Sequence, residues 1–479
     1  SATYTGSELS ALVSGAGIPI PVPLGLRITS LPFSLRRTIA GAIQHDFDPT
    51  SLIATPTVTY YVDPINGSDG NAGTSAGAAL ANLATALGKV DVDQIRIINL
   101  TGDYIAIGSK SWNNTQPNRT ISVINGTGYR YVSVACAGVP TWTVNGTYSN
   151  VYQATVSAAN AGGVSDLLTS TSPNAPANGT MTAAQIANVA AVIAACPKGY
   201  RHLVKVASLA AVAAQAGTWF HDGSTTLYVR AHDDRSLVGD TKMLPTLAST
   251  TNGRWKPSSN NIGVYIAGVD FVGGPNPFLT DAASPVTGQV LVFNNCSFQG
   301  GSSGTGNGIS IKSFSTVYLY RCTAMGNWAD GFNGHSPESD GTTPSTSPTI
   351  YELECLAYGN GLTGSSGTSD NASTTHDFTN ILRANSVHLN SDDSPVVDVN
   401  SAQSWNVGVY AGQALTVGVG RQNFKASNSA IMLLDSCYAE SGSNERWLSE
   451  SATTLLKYSA SGSVVNGASG LGVVRSYLG

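Results

Sequence analysis

The sequence predicts an all-β chain that forms a parallel β-helix, a solenoid of stacked coils. The main observation is a short motif that recurs in four segments, each preceded by a β-rich run: 295–301, 321–327, 354–360 and 384–390. Aligned in this way, Cys296, Cys322, Cys355 and Asn385 occupy one register position. A repeat of about 20–50 residues indicates a solenoid, and a strand-rich repeat without helical periodicity indicates a parallel β-helix.

Composition supports this fold class and excludes some partners. The chain has 479 residues, only 11% of them charged, and 52 glycines, which favours many short strands joined by turns over helical bundles. The formal net charge of −5, without a stripe of Lys or Arg, argues against a nucleic-acid partner. No apolar run approaches the roughly 20 residues of a membrane-spanning helix, so we expect no membrane insertion.

The cysteines predict neither a disulfide framework nor a metal site. The six cysteines lie far apart and none forms a CxxC pair. We therefore expect buried free thiols that act as small hydrophobic side chains, with Cys322 and Cys355 stacked inside the coils. No metal and no cofactor is predicted.

Taken in order, the chain divides into three parts. Residues 1–56 form an N-terminal arm or connector, in which Leu31–Ile43 has the spacing of a short amphipathic helix. Residues 57–410 form the β-helix with an N-terminal cap, and residues 411–479 are its last coils or a C-terminal cap. No signal peptide is recognised at Ser1.

The cap begins at Tyr60, and the sequence predicts a short helix at Leu80–Leu87 within it. The acidic and amide residues between Asp63 and Asn71 lack the spacing of an EF-hand loop, so a turn built from side chain–backbone hydrogen bonds is favoured over a calcium loop. Residues 180–216 are alanine-rich with helical spacing and predict a helical insertion. A hairpin follows at 217–230, and we interpret its His221 as a framework residue.

Two stretches resemble a known family. The segment from Tyr60 to Thr74, with the helix after it, resembles the first coil of right-handed parallel β-helix proteins of the pectate-lyase-like class, which includes many bacteriophage tailspikes. The runs 330–335, 372–376 and 404–406, with Arg383 and Asp398, are similar to a pattern in β-helix proteins of phage tails. The resemblance implies a right-handed helix, a homotrimer, and a location in a virion tail or outside the cell.

The chemistry is expected on the outer face of the coils, because the interior is packed. Strict alternation predicts that Val397 and Val399 point inward and Asp398 points outward. The same reasoning places Phe332 inside and Asn333 outside. We therefore expect one outward ladder along neighbouring coils, formed by Lys312, Asn333, His335, His376 and Asp398. Glu352 and Glu354 are assigned to another outer face.

These residues predict a glycan-cleaving site, although Asp330 also fits a plain turn and the two histidines also fit structural roles. The candidate catalytic residues are Asp330, His335, His376, Asp377 and Asp398. The candidate substrate-binding residues are Lys312, Asn333, Arg383, Trp328 and Trp405.

Three functions remain open at this point. The first is a tailspike-type depolymerase of a bacterial polysaccharide, a glycoside hydrolase that uses two of Asp330, Asp377 and Asp398, with Glu338 in reserve. The second is a lyase on a uronic-acid polymer, in which His335 or His376 abstracts a proton while Arg383 or Lys312 screens the carboxylate. The third is a non-enzymatic glycan-binding fibre.

Overall fold

The computed structural model describes most of the chain. It covers residues 17–38, 41–108, 112, 118–175, 181, 183–248, 255–257, 262–280, 288–302, 306–336, 347–362, 370–412 and 422–439, and the backbone of four later strands. Within this part of the chain, no helix is long and apolar enough to span a membrane.

Three long parallel sheets make up the body of the molecule, which confirms the all-β class. Sheet 1 has twelve strands: Thr59–Val62, Gln94–Ile97, Thr120–Asn125, Gly263–Ala267, Val290–Asn294, Thr316–Tyr320, Thr349–Leu353, Asn380–Ala384, Gln403–Val407, Ile431–Asp435, Leu455–Ser459 and Val473–Ser476. Sheet 2 has nine: Tyr104–Gly108, Tyr131–Ala135, Val269–Val272, Ser297–Gln299, Thr323–Met325, Leu356–Tyr358, Val387–Leu389, Tyr410–Gly412 and Tyr438–Ala439. Sheet 3 has eight: Phe278–Thr280, Ile309–Ile311, Phe332–Gly334, Ser373–Thr375, Val396–Asp398, Gln422–Ala426, Glu445–Ser449 and Asn466–Ala468.

Along the chain, a strand of sheet 1 is followed by one of sheet 2 and one of sheet 3, and the next strand belongs to sheet 1 again. Strand Val290–Asn294 of sheet 1 is followed by Ser297–Gln299 of sheet 2 and Ile309–Ile311 of sheet 3. The next strand, Thr316–Tyr320, lies beside the first of these in parallel register. Each circuit is one coil, and successive coils stack so that equivalent residues lie about 4.8 Å apart.

A single left-handed residue makes the corner between sheets 1 and 2. Asn295, Arg321 and Glu354 have φ between 51° and 53°, and each is followed by a buried cysteine. The stacking of Cys322 on Cys355 is confirmed, since Cys322 N–H lies 3.4 Å from the Cys355 sulfur.

The fourth copy of the motif was misaligned by one residue. In the structure Leu353 pairs with Ala384, which puts Asn385 opposite Glu354 rather than opposite Cys355. Asn385 has φ of 52°, so it takes the corner position, and Ser386 takes the cysteine position. The motif aligned Asn390 with the final asparagines Asn327 and Asn360, whereas the pairing of Tyr358 with Leu389 puts Asn390 opposite Gly359.

The core runs along the axis of the coils and is lined by one face of each sheet. In sheet 1, Val317 and Leu319 face this core, whereas Tyr318 between them faces outward. In sheet 3, Phe332 lies in the same core. This alternation means that the side chain at every second position belongs to the interior.

The N-terminal cap contains the predicted helix, which begins at Leu83 and ends at Leu87. The Asp63 carboxylate accepts the backbone N–H groups of Ile65 and Asn66 at 3.0 and 2.9 Å. The Asp69 carboxylate accepts that of Ala81 at 3.0 Å. The segment is therefore a turn held by side chain–backbone hydrogen bonds, as predicted. A short 3-10 helix, Ala76–Ala78, lies within it.

The arm, residues 17–53, packs on the outer face of sheet 1. Its strands Ile18–Pro19, Leu35–Arg37 and Ile43–His45 form an antiparallel sheet, and a 3-10 helix follows at Pro49–Leu52. Phe47 stacks on Tyr318 of sheet 1 with ring centroids 5.0 Å apart.

The helix predicted for Leu31–Ile43 is wrong. Leu35 and Ile43 are both buried against sheet 1, and a turn that contains Gly41 at φ 82° reverses the chain between their strands. Tertiary packing thus overrides the helical spacing of the apolar residues.

The insertion, residues 137–248, is larger than the predicted 180–216 and mostly β. The predicted hairpin is confirmed, since Thr218–His221 pairs antiparallel with Thr226–Arg230. Two α-helices, Ala183–Ala195 and Leu209–Ala214, lie within the stretch that predicted them. The other elements are Thr143–Val144, Tyr152–Thr155, Gly163–Thr171, Gly199–His202, Val204–Lys205, Met243–Thr246 and the 3-10 helix Ala158–Asn160.

Candidate functional site

A line of polar side chains follows the strands of sheet 3. Lys312, His335 and His376 each come directly after a strand of this sheet, in three successive coils. Those strands pair in parallel register, so the three residues occupy equivalent positions. We call Lys312, His335, His376, Asp377 and Asn400 the histidine site.

The imidazole rings of His335 and His376 are stacked face to face. Their centroids lie 4.1 Å apart and their planes differ by 6°. The backbone fixes this arrangement, because His335 N–H donates to Ile311 O at 2.7 Å and His376 N–H donates to Gly334 O at 2.8 Å. Two positive charges at this distance repel each other, so the stacked pair favours at most one bound proton.

Asp377 orients one of the two rings. The His335 Nδ1 atom lies 3.2 Å from Asp377 Oδ2, and Asn400 Nδ2 donates to the other carboxylate oxygen at 3.0 Å. An ionised carboxylate favours the neutral tautomer of His335 that carries its proton on Nδ1, and in that tautomer Nε2 is the nitrogen that can act as a base. The His335 side chain is 27% exposed and that of Asp377 is 11% exposed, so the pair lies at the surface but is largely shielded from water.

The surroundings set the charge of the other groups. Burial, helped by His335 and Lys312, lowers the pKa of His376 to about 3, so this imidazole is neutral at physiological pH. Burial raises the pKa of Asp377, but the hydrogen bonds from His335 and Asn400 outweigh that effect and hold it below its ordinary value. Asp377 is therefore ionised.

Asp330 forms a separate buried cluster at the other end of the same strands. Its Oδ1 atom accepts from Asn371 N–H at 2.7 Å and from Asn371 Nδ2 at 3.1 Å, and its Oδ2 atom accepts from Asn333 Nδ2. Burial raises the pKa of Asp330 to about 6 despite these hydrogen bonds. Asn333 is only 3% exposed. This carboxyl can thus hold a proton close to neutral pH.

Asp330 and Asp377 belong to two different groups of hydrogen-bonded side chains. Parallel pairing places Asp330 opposite Asn371, and the extended chain covers about 16 Å over the five residues to His335. Asp377 lies one coil further along and one residue later. The two carboxyl groups bond to different residues, Asp330 to Asn333 and Asn371 and Asp377 to His335 and Asn400.

Asp398 and Arg383 are not on the outer face, contrary to the alternation expected from the sequence. Val396, two residues before Asp398, lies in the core, and Asp398 itself is fully buried. Arg383 pairs in register with Glu352, which pairs with the core residue Leu319. The expected ladder is therefore split, because Asp398 points into the coils.

Glu352 also points inward, against expectation. It is fully buried, and its Oε1 atom lies 3.0 Å from Nε2 of His388, which is equally buried. Burial opposes ionisation of Glu352, but His388 and Arg383 outweigh that effect and lower its pKa. Glu354 lies on the outer face as predicted, and its carboxylate contacts Arg321 at 2.7 Å.

Neither tryptophan lies beside the histidine site. Trp405 is 1% exposed and belongs to the cluster between sheet 1 and the arm, so it is not a sugar-stacking surface. Trp328 is half-buried and faces the insertion, where Lys205 Nζ lies 6.0 Å from its ring centroid. Of the predicted site residues, the structure brings together Lys312, His335, His376 and Asp377, while Glu338 lies outside the described residues.

Sequence reasoning missed the part played by Asn400. This residue follows strand Val396–Asp398 and has φ of 59°, a left-handed conformation that asparagine tolerates better than most residues. An asparagine two residues after Asp398, in register with Asp377, was the available signal.

No protein-family model and no curated protein matches this chain. Similar solved structures include one described as the complex of XylC with xylose, at 11% identity and a TM-score of 0.48, covering 83% of this chain and 68% of that chain. A structure described as a glycoside hydrolase has 9% identity and a TM-score of 0.44, covering 88% and 96%. Pectate lyase Pel9A has 14% identity and a TM-score of 0.37, covering 88% and 80%. Similarities at this level do not bear on the reaction or the substrate.

Proposed function

We propose that this chain cleaves a polysaccharide by β-elimination at the histidine site. The observation that carries the proposal is the His335–Asp377 pair, an imidazole oriented by a carboxylate on the outer face of stacked coils. A long face of this kind suits an extended polymer. Lys312, in the equivalent position one coil away, supplies a positive charge for an acidic sugar.

In this reaction His335 acts as the general base. Its Nε2 atom takes the proton from C5 of a uronic acid, the C–H electrons form the C4–C5 double bond, and the glycosidic C4–O bond breaks. The departing oxygen takes a proton from solvent. Asp377 stabilises the imidazolium that forms, Lys312 screens the carboxylate of the sugar, and neutral His376 adds no opposing charge.

Hydrolysis is the second candidate, and Asp330 favours it. A carboxyl whose pKa is raised to about 6 suits a general acid. A hydrolase also needs a second carboxylate within about 10 Å. Asp398 is buried inside the coils, but Asp370, which directly precedes Asn371, is near enough to Asp330 that its charge helps to raise the pKa of that carboxyl. We place elimination first because a carboxylate orients the His335 imidazole on the outer face, and a glycan-binding fibre without catalysis is the third candidate.

The assembly and origin belong to the same proposal. We infer a right-handed winding of the coils, because crossovers between parallel strands are right-handed in nearly all proteins. A homotrimer of tailspike type, in a virion tail or outside the cell, fits a solenoid that has lateral faces to pack. Light scattering should return three times the chain mass of 49.3 kDa, and a monomer mass would exclude the trimer.

A panel of acidic and neutral bacterial polysaccharides tests the reaction. Elimination produces an unsaturated sugar with new ultraviolet absorbance together with new reducing ends, whereas hydrolysis produces reducing ends alone. His335→Ala should abolish the absorbance change, and His221→Ala, a histidine on the hairpin of the insertion, should leave it unchanged. Reducing ends without absorbance would favour hydrolysis, and binding without either product would favour the fibre.

A further inference from the structure

Arg27 of the arm reaches across to two loops that leave sheet 3. Its Nη2 atom donates to Phe378 O at 3.2 Å and to Ser401 O at 2.7 Å. Its Nε atom donates to Asn380 Oδ1 at 2.6 Å, and its backbone N–H donates to Gln403 Oε1 at 2.6 Å. One side chain therefore joins two successive coils at the same corner.

These two loops carry Asp377, which bonds to His335, and Asn400, which bonds to Asp377. Phe378 directly follows Asp377, and Ser401 directly follows Asn400. The Asn400 amide donates a hydrogen bond to Asp377. Arg27 therefore binds the carbonyl group of the residue that follows each of these two side chains in the sequence. The guanidinium also lies 5.8 Å from the centroid of the Phe378 ring.

Each loop contains a residue in the left-handed conformation, directly before the carbonyl group that Arg27 binds. Asp377 has φ of 57° and Asn400 has φ of 59°, in the left-handed region that non-glycine residues enter at a cost. Peptide carbonyls that accept hydrogen bonds from a fixed, planar guanidinium have less freedom to rotate. The register of the two loops, and with it the position of the Asp377 carboxylate, is thereby fixed.

We propose that Arg27 is a positioning residue that holds Asp377 against His335, which makes the arm part of the active site. This inference rests on the proposed function of the histidine site. Arg27 touches none of the reacting groups and acts through the loop backbone. The arm then has a catalytic consequence besides covering the apolar outer face of sheet 1.

A matched control exists in the same arm. Arg37 forms an ion pair with Asp435, which lies on sheet 1 in a later coil. Arg37→Ala removes a polar anchor of the arm without touching the loops of Asp377 and Asn400. Comparing it with Arg27→Ala separates the positioning of Asp377 against His335 from the simple attachment of the arm.

The first measurement needs no substrate. Ring-nitrogen resonances of His335, assigned by their loss in His335→Ala, report which nitrogen carries the proton. In the wild type we expect the tautomer with the proton on Nδ1. Arg27→Ala should mix the two tautomers, whereas Arg37→Ala should keep the wild-type spectrum.

The second measurement uses whichever polysaccharide the wild type cleaves. Arg27→Ala should lower kcat by about 10- to 100-fold, because a small displacement of a catalytic group has effects of this size, with a smaller change in KM. Arg27→Lys, which retains charge but not the fork of donors, should recover only part of the loss. An unchanged His335 tautomer in Arg27→Ala, or an equal effect of Arg37→Ala, would overturn the inference. If instead His335→Ala remains active while the tautomer responds to Arg27→Ala, the positioning stands and the proposed function fails.

Discussion

Arg383 and Asp398 face each other inside the coils, with Nη2 of the guanidinium 3.2 Å from Oδ1 of the carboxylate and both side chains fully buried. The pair does not stand alone. Arg383 also donates to Thr375 Oγ1 at 2.7 Å and to Ser373 Oγ at 2.8 Å, and the Ser404 hydroxyl donates to Asp398. A buried charge pair with these hydrogen bonds ties sheet 1 to sheet 3 across the interior.

Asp398→Ala should therefore destabilise the fold rather than act on chemistry alone. Removing the carboxylate leaves the Arg383 charge buried with only neutral partners and Glu352, whose carboxylate lies 3.8 Å away. Breaking a buried pair in this way lowers the free energy of unfolding by about 3–5 kcal/mol. Equilibrium unfolding in urea measures the change.

Asp234→Ala is the control for that substitution. Asp234 pairs with Arg230 at the surface and its side chain is 48% exposed, so the change should stay within about 1 kcal/mol. Equal midpoints for Asp398→Ala and the wild type would contradict the interior role of the pair.

The wrong prediction for Asp398 shows that the sequence pattern alone could not determine which side chains of this strand point inward. Alternation along a strand identifies two faces but does not say which is inside, and the run Val396–Val399 puts valine on both. Outer-face residues of sheet 3 such as Val397 are also buried, so hydrophobicity could not decide which of the two faces points into the coils. The polar interior formed by Glu352, Arg383 and Asp398 reversed the expected assignment.

The repeat could be predicted from the sequence because the residues that define each copy are close together in the chain. Cysteines after a corner and a buried aromatic such as Phe332 on a strand identify the stack of coils without any long-range information. The arm and the insertion were harder to predict, since their conformations depend on surfaces of the coils that only the folded chain presents. The position of His335 beside His376 followed from register, whereas the bond from His335 to Asp377 and the support from Arg27 did not.

Trp405 should behave as a core residue, unlike Trp328. It is 1% exposed and belongs to the same apolar cluster as Leu26 and Ile28 of the arm, so Trp405→Ala leaves a large cavity there. We expect a loss of about 3–5 kcal/mol of unfolding free energy, measured in urea. Trp328→Ala removes a half-buried ring and should have a smaller effect. A reversed order of the two variants would show that the arm does not cover Trp405 in solution.

All six cysteines should resist modification in the native protein. Each is a buried free thiol, and burial raises the pKa of Cys196, Cys296, Cys355 and Cys437 above the ordinary thiol value. A thiol reagent should therefore label the native chain slowly and the urea-unfolded chain at all six positions. Rapid native labelling of Cys322 or Cys355, located by peptide mass analysis, would contradict the stacked interior.

Asp377→Asn should impair turnover while retaining the fold. The amide is nearly isosteric, but it no longer carries the negative charge that stabilises the imidazolium of His335. We expect kcat to fall by roughly 100-fold or more and the urea midpoint to change little. Asp240→Asn, at a carboxylate of the insertion, serves as the control for a general Asp-to-Asn effect. Wild-type turnover in Asp377→Asn would place the catalytic base elsewhere.

Asp330→Asn should stabilise the protein at neutral pH and have little effect near pH 4. The pKa of Asp330 is raised from its ordinary value of 3.8 to about 6, so between these values the folded protein holds a proton that the unfolded chain has released. The contribution of this group to stability is therefore full below about pH 4 and is lost as the pH rises through about 6. Asparagine cannot ionise, and a turn of the Asn333 amide offers the new side chain its Oδ1 atom, which has no hydrogen-bond partner in the wild type.

The expected gain at pH 7.5 is on the order of 2 kcal/mol, since each pKa unit corresponds to about 1.4 kcal/mol and part is lost in repacking. Urea unfolding of both proteins at pH 4 and pH 7.5 measures this gain. The other carboxyl groups titrate alike in both proteins, so their effects cancel in the difference.

Asp222→Asn is the control, and its effect on the unfolding free energy should have the opposite pH dependence. Hydrogen bonds from the backbone at Thr226 and Ser224 lower the pKa of Asp222 to about 2, so its contribution is present above pH 4 and is lost on acidification. Equal differences for Asp330→Asn at the two pH values would mean that this carboxyl is already ionised in the folded protein at pH 4 and is not the poised acid that the hydrolytic alternative requires.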